Sequence, residues 1–170
     1  MPATLYITVG ISGSGKSKFT QFVKDSLQAV EVNADNIRFE MGDINNQARN
    51  KEVFERVNKE INENLVAGKN VILSNTNLHY FAFEDYCKKY PRNKIVGFIM
   101  IDSFFPNLCK ERIRKDLENG VIRSNVPENV IDDMFVKFKY FMEDVLTRKQ
   151  FPANASFCTV NSDFYIQKFV

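Results

Sequence analysis

The chain has 170 residues, 44% of them apolar, with sixteen phenylalanines, no tryptophan and a formal net charge of +2. This length suits one domain with a real core. The apolar content excludes a disordered chain, and a near-neutral balance without long runs of like charge excludes tail-driven polyanion binding, so such a ligand would need a local site.

Leu5 to Val9 read as a buried strand, and Phe19, Phe22, Val23 and Leu27 then fall at helical spacing, so the glycine-rich stretch between them joins strand to helix. Ala29 to Val32 give a second strand, ending at Asn33-Ala34-Asp35. A polar loop is expected over about 41–48. Val53, Val57, Ile61 and Leu65 recur every four residues up to Gly68, the pattern of a helix with a glycine stop. Asn70 to Ser74 and Ile95 to Ile101 are nearly continuous apolar runs, as in parallel strands covered on both faces. Helices are expected over about 80–90, 106–118 and 127–146, and a last strand near Ser156 to Val160 is expected to close the sheet. The alternation of strand and helix predicts a three-layer α/β sandwich with a mainly parallel sheet.

Cys87, Cys109 and Cys158 are widely spaced and form no C-x-x-C, which argues against a disulfide framework or a zinc site and for a reducing, cytoplasmic setting. The N-terminal apolar stretch is too short to span a membrane and lacks the basic start of a signal peptide. The expectation is an unexported protein with no membrane partner.

Gly10-Ile11-Ser12-Gly13-Ser14-Gly15-Lys16-Ser17 meets G-x-x-x-x-G-K-[S/T] in full, between a strand and a helix. Glycines let successive N–H groups turn into one hollow, and the following helix adds its positive end. Triphosphate oxygens suit such a nest. Lys16 would bridge the terminal phosphates, and the Ser17 hydroxyl would sit on Mg²⁺. The bland alternative is a turn that merely happens to be glycine-rich.

Ligands of open parallel sheets lie beyond the carboxyl ends of the strands. If the second strand runs into a helix there, Asp35 and Arg38 share one face. A carboxylate beside the terminal phosphate can accept the proton of an attacking hydroxyl, and an arginine one turn on can grip an anionic acceptor. The plainer reading makes Asp35 an N-cap and Arg38 a solvated side chain. Ser74-Asn75-Thr76-Asn77 ends the third strand at the same edge, where many P-loop proteins place a metal-holding aspartate; Asn75 brings no charge, which shifts the metal toward Ser17 and Asp35. An asparagine turn is the alternative.

Taken together, Gly10–Ser17, D-x-x-R at Asp35 and Arg38, Ser74-Asn75-Thr76-Asn77-Leu78, and Val126-Pro127 with Val130-Ile131 and Met134-Phe135 resemble the polynucleotide 5′-hydroxyl kinase family, specifically the kinase half of the phage end-healing enzyme. The resemblance runs from about residue 5 to 146. It implies a P-loop NTPase fold with a basic helical lid over about 106–127, transfer of a phosphoryl group from ATP with Mg²⁺ to 5′-hydroxyl ends of DNA or RNA, Asp35 as general base, and Arg38, Thr76 and Asn75 at the acceptor. Lid arginines on the ATP phosphates would be Arg112 and, because Asp116 stands where the family has its second arginine, Arg123, with Arg114 next in line. No D-x-D-x-T motif occurs, so a single kinase domain over 1–170 without a phosphatase domain is expected. The family also includes oligomers and phage-encoded members, so a homo-oligomer and a host-cytoplasm origin are both admitted. Two other readings stay open: a small-molecule kinase of the same fold acting on a nucleoside or sugar, and a nucleotide-binding module without catalysis. His79 reads as a surface residue, Phe104-Phe105 as packing, and Lys88, Lys89, Arg92 and Lys94 as a solvated basic helix end.

Overall fold

The computed structural model describes residues 1–45 and 48–170; Asn46 and Gln47, inside the loop expected over 41–48, lie outside the described residues. The elements are β1 (Thr4–Val9), α1 (Lys16–Val23), β2 (Ala29–Val32), α2 (Ala34–Glu40), α3 (Asn50–Val66), β3 (Asn70–Leu73), α4 (Tyr80–Lys89), β4 (Lys94–Met100), α5 (Pro106–Glu118), α6 (Glu128–Thr147), β5 (Ala155–Val160) and β6 (Ile166–Lys168). The strands form one sheet in the order β2-β3-β1-β4-β5-β6, parallel except for β6. This is the expected α/β fold with a mainly parallel sheet.

The two-residue period of each strand divides the core between the faces. Leu5, Ile7 and Val9 of β1, with Ile95 and Ile99 of β4, face a large cluster that includes buried side chains of α3, α4, α5 and α6. Phe98 and Met100 of β4, with Ile72 of β3 and Val160 of β5, face the other way onto Phe19 and Val23 of α1. On the larger side Phe157 is fully buried, 4.6 Å from Phe83 and 5.6 Å from Phe151 by ring centroids. Its cross-strand partner is Gly97. A Cβ at Gly97 would lie 2.6 Å from the Phe157 ring, so the absence of a side chain in mid-strand is what admits that ring.

Three sequence expectations change. β5 does not close the sheet: Asn161 Oδ1 accepts from the N–H groups of Asp163 and Tyr165, turning the chain back so that β6 adds antiparallel to β5. Three exposed residues carry no periodic signal, which is why β6 was not expected. Ile101 leaves the fourth strand and opens a short 3₁₀ turn, Ile101–Phe104. The N-cap of α2 is Asn33 rather than Asp35, its side chain accepting from the N–H groups of Asp35 and Asn36. Phe104 packs edge-on to Phe138 at 4.9 Å, His79 is exposed, and the Lys88–Lys94 cluster stands in solvent. Among the described residues no helix is long and apolar enough to cross a membrane.

Substituting Gly97 by Ala is expected to cost about 1–3 kcal/mol in urea unfolding through overpacking against Phe157. Adding Phe157→Leu should recover part of the loss, whereas a Gly97→Ala chain as stable as the parent would show that the ring has room to move.

Candidate functional site

Residues Ser12 to Ser17 of the cradle and the α2 pair line one cavity of about 1400 Å³ beyond the carboxyl ends of the strands. At its floor the chain leaves β1 through Gly10, whose N–H donates to Thr76 O at 3.0 Å. Ile11 N–H donates to Ser103 Oγ at 3.1 Å, so the loop is tied to the ends of both β3 and β4. Gly13 has φ +82°, and a Cβ there would meet the carbonyl oxygen of Cys109 in α5 at 2.4 Å. Only glycine lets the loop press that closely on α5. α1 begins at Lys16 with no side-chain cap, leaving its first N–H groups available to an anion. The Ser14 hydroxyl is buried without a partner. These features fit a chain of phosphate oxygens.

Lys16 Nζ donates to Ile11 O at 2.7 Å. Burial lowers its pKa to about 8; the Cys109 thiol and Asp35 oppose the shift, and the charge of Arg123 adds to it. The lysine therefore senses both the α2 carboxylate and the distal arginine. Burial also pushes the Cys109 thiol up to about 11, so it is no nucleophile at neutral pH.

On the opposite wall, Arg38 is buried while the Asp35 side chain remains 46% exposed. Arg38 Nη1 donates to Asp35 Oδ1 and Nη2 to Asn50 Oδ1 of α3, both at 2.8 Å. The plain reading of a capping aspartate and a solvated arginine does not hold. Asn75 Oδ1 accepts from Ala34 N–H at 2.9 Å, and Asn33 Nδ2 donates to Ser74 O at 2.7 Å, so the amide at position 75 holds the start of α2. Asn77, at φ +49°, donates to Thr8 O at 2.9 Å and pins the same turn to β1. Thr76 lines the cavity between loop and α2.

The third wall is α5 and the segment after it. Arg112 Nη1 donates to Gly13 O at 3.2 Å and Nη2 to Asp102 Oδ2 at 2.7 Å, while Ser162 Oγ donates to the other Asp102 oxygen at 2.7 Å. Arg123 Nη1 donates to Asp116 Oδ2 at 2.6 Å, and its Nε is buried without a partner. Arg114 is exposed and does not line the cavity. The structure thus gathers Ser12, Lys16, Ser17, Asp35, Arg38, Asn75, Thr76, Arg112 and Arg123 around one space, with Gly10 at its base. Sequence reasoning missed Asp116 as the partner of Arg123, and Asn161, Ser162, Phe164 and Phe54 as residues that line the cavity. Only Phe54 left a signal, as an aromatic standing off the apolar stripe of its helix.

Comparison with known proteins agrees with this geometry. A family model described as an AAA domain matches residues 5–140. The chain belongs to this AAA domain family. Comparison with curated proteins gives no match. Among solved structures, a chain of the Pnkp1/Rnl/Hen1 RNA repair complex is similar over 84% of this chain, with 23% identity and a TM-score of 0.72. This chain spans 46% of that one. A second Pnkp1/Rnl/Hen1 complex matches over 58% of this chain and 36% of its own, with 27% identity and a TM-score of 0.50. A gluconokinase from Sinorhizobium meliloti 1021 is similar over 94% of this chain and 83% of its own, at 16% identity and a TM-score of 0.52. The resemblance to the polynucleotide kinase family therefore holds at the level of the P-loop kinase fold.

In this AAA domain fold the cradle implies a nucleotide, and the donors present suit Mg²⁺. That ion keeps waters and takes one or two protein oxygens besides phosphates. Ser17 offers an exposed hydroxyl and Asp35 a half-exposed carboxylate. Among the described residues no cluster of three or more His, Cys, Asp or Glu could hold the ion alone.

The lowered pKa of Lys16 has a measurable consequence. An incoming polyphosphate raises that pKa, so binding takes up a proton above about pH 8 and takes up little below about pH 7. Affinity for Mg²⁺-tripolyphosphate is expected to hold steady up to about pH 7 and to fall as pH rises through about 8, toward tenfold per unit. Calorimetry in buffers of differing ionisation enthalpy reads the proton directly, and no uptake near pH 9 would contradict the assignment.

Proposed function

We propose that this protein is an ATP-dependent polynucleotide 5′-hydroxyl kinase, transferring the terminal phosphoryl group of ATP to 5′-OH ends of DNA or RNA with Mg²⁺ as cofactor. The observation that carries this reading is the Asp35–Arg38 pair. The arginine is buried, held at 2.8 Å to both Asp35 and Asn50, and turned with the carboxylate into the cavity that the phosphate loop floors. A fixed guanidinium fork whose Nε has no partner suits a phosphate on the acceptor, and the half-exposed carboxylate suits the proton of its hydroxyl.

In this reading the backbone N–H groups of Gly13 and of Gly15 to Ser17 hold the donor's phosphates, and Lys16 neutralises charge on the group in transit. The acceptor oxygen forms its bond to phosphorus as the bridging bond to the leaving diphosphate breaks, and Asp35 takes the hydroxyl proton. Arg38 holds the acceptor's 3′-phosphate, with Thr76 beside it. Arg112, clamped by Asp102, keeps the loop against α5, and Arg123 reaches the transferred group from the lid over residues 106–127. A chain of similar fold within an RNA repair complex supports the choice of acceptor. The likeness to a gluconokinase over nearly the whole chain favours a sugar acceptor as the second reading.

Incubation with γ-labelled ATP and matched 5′-OH DNA, RNA, nucleoside 3′-phosphates and sugar acids separates the two. Label on the oligonucleotides and on the nucleoside 3′-phosphates, and none on the sugar acids, is expected; label on sugars alone sinks the proposal. Replacing Asp35 by Asn should lower kcat by about 10²–10⁴-fold while ATP affinity changes little. Asp116→Ala, which frees Arg123, should lower kcat with little effect on acceptor KM, and Arg123→Ala should lower it further; an unchanged kcat in Arg123→Ala would remove Arg123 from the mechanism.

A further inference from the structure

The helix α3 carries two kinds of apolar residue. Val53, Val57, Ile61 and Leu65 are buried and belong to the core. Phe54 stands off that stripe, belongs to neither apolar cluster and keeps 45% of its surface exposed. It lies four residues from Asn50, so the two project from the same side of the helix, and both line the cavity with Asp35 and Arg38. Of the other exposed phenylalanines, Phe22, Phe39, Phe81, Phe104, Phe105 and Phe169, none lines it. The Arg38 guanidinium carbon sits 5.8 Å from the Phe54 ring centroid while its nitrogens hold Asp35 and Asn50. Along one wall the protein thus offers a carboxylate, a phosphate-sized cationic fork and a flat apolar face.

We propose that Phe54 is the stacking platform for the terminal base of the acceptor, so that the unit recognised is a nucleoside 3′-phosphate: 5′-hydroxyl toward Asp35, 3′-phosphate on Arg38, base on Phe54. The inference rests on the polynucleotide reading given above. It gives the half-exposed Phe54 ring, over which the Arg38 guanidinium already sits, a partner for its remaining surface, and it makes the acceptor preference a matter of size and planarity rather than base identity, since every base has a π-face. A bare sugar acid would leave the ring with no partner beyond Arg38.

The test compares a 5′-OH oligonucleotide with the same oligonucleotide carrying an abasic 5′-terminal residue, for the parent chain, Phe54→Ala and Phe54→Tyr. The ratio of their KM values is expected to favour the base-bearing acceptor about tenfold in the parent, to persist in Phe54→Tyr and to collapse toward one in Phe54→Ala. Fluorescence of a 5′-terminal 2-aminopurine should be quenched on binding to the parent and to Phe54→Tyr, and not to Phe54→Ala. Circular dichroism checks that the half-exposed position leaves the fold intact. A parent that transfers phosphate to both acceptors without discriminating, or an alanine variant that weakens both alike, overturns the stacking platform and leaves the kinase reading standing. A parent that transfers to neither overturns the kinase reading, and this inference with it.

Discussion

The turn from Ser74 to Asn77 is the joint on which the site depends. Thr76 O receives the first N–H of the phosphate loop, Asn75 Oδ1 receives the first N–H of α2, Ser74 O receives the amide of the α2 cap Asn33, and Asn77 reaches back to β1. Four short hydrogen bonds from four successive residues thus fix the cradle and the Asp35–Arg38 pair relative to each other. Buried backbone groups left unpaired there would cost about 1–3 kcal/mol each. The joint is therefore a stability element as well as a ruler. It gives Asn75 a task that needs an oxygen acceptor and no charge, which is why an amide serves at a strand end where P-loop proteins often carry a carboxylate.

The lid side is organised by charge. Arg112 is divided between a loop carbonyl and Asp102, which Ser162 also holds, so α5, the phosphate loop and the turn after β5 form one hydrogen-bonded unit. Arg123 comes from the irregular chain after α5 and is aimed by Asp116, one helical turn after Arg112. Partly exposed pairs of this kind contribute little to stability, so their value is positional. The aspartate that stands where a second arginine was expected is held by the same contact, as the partner of Arg123.

Much of the site was legible in the sequence because phosphate binding depends on local backbone. Gly13 and Gly15 need a left-handed conformation, Lys16 and Ser17 follow at fixed spacing, and the preceding apolar run places the loop after a strand, all within a few residues of each other. Asp35 and Arg38 were legible for the same reason, being one turn apart on one helix. Asn75 and Asp116 were read as departures from a pattern, because their partners, Ala34 N–H and Arg123, lie 41 and 7 residues away and leave no periodic trace.

By itself the sequence determined the alternation of strands and helices as far as β5, the phosphate cradle and the pairing of a carboxylate with an arginine, since each is a matter of side-chain period or of neighbours within one turn. Only the tertiary structure decided that Arg38 is buried rather than solvated, that Arg123 rather than Arg114 faces the cavity, that a sixth strand closes the sheet and that Phe54 lines the same cavity as Asp35 and Arg38. Those outcomes depend on which distant surfaces meet when the two faces of the sheet are covered, and residue spacing along the chain does not encode that.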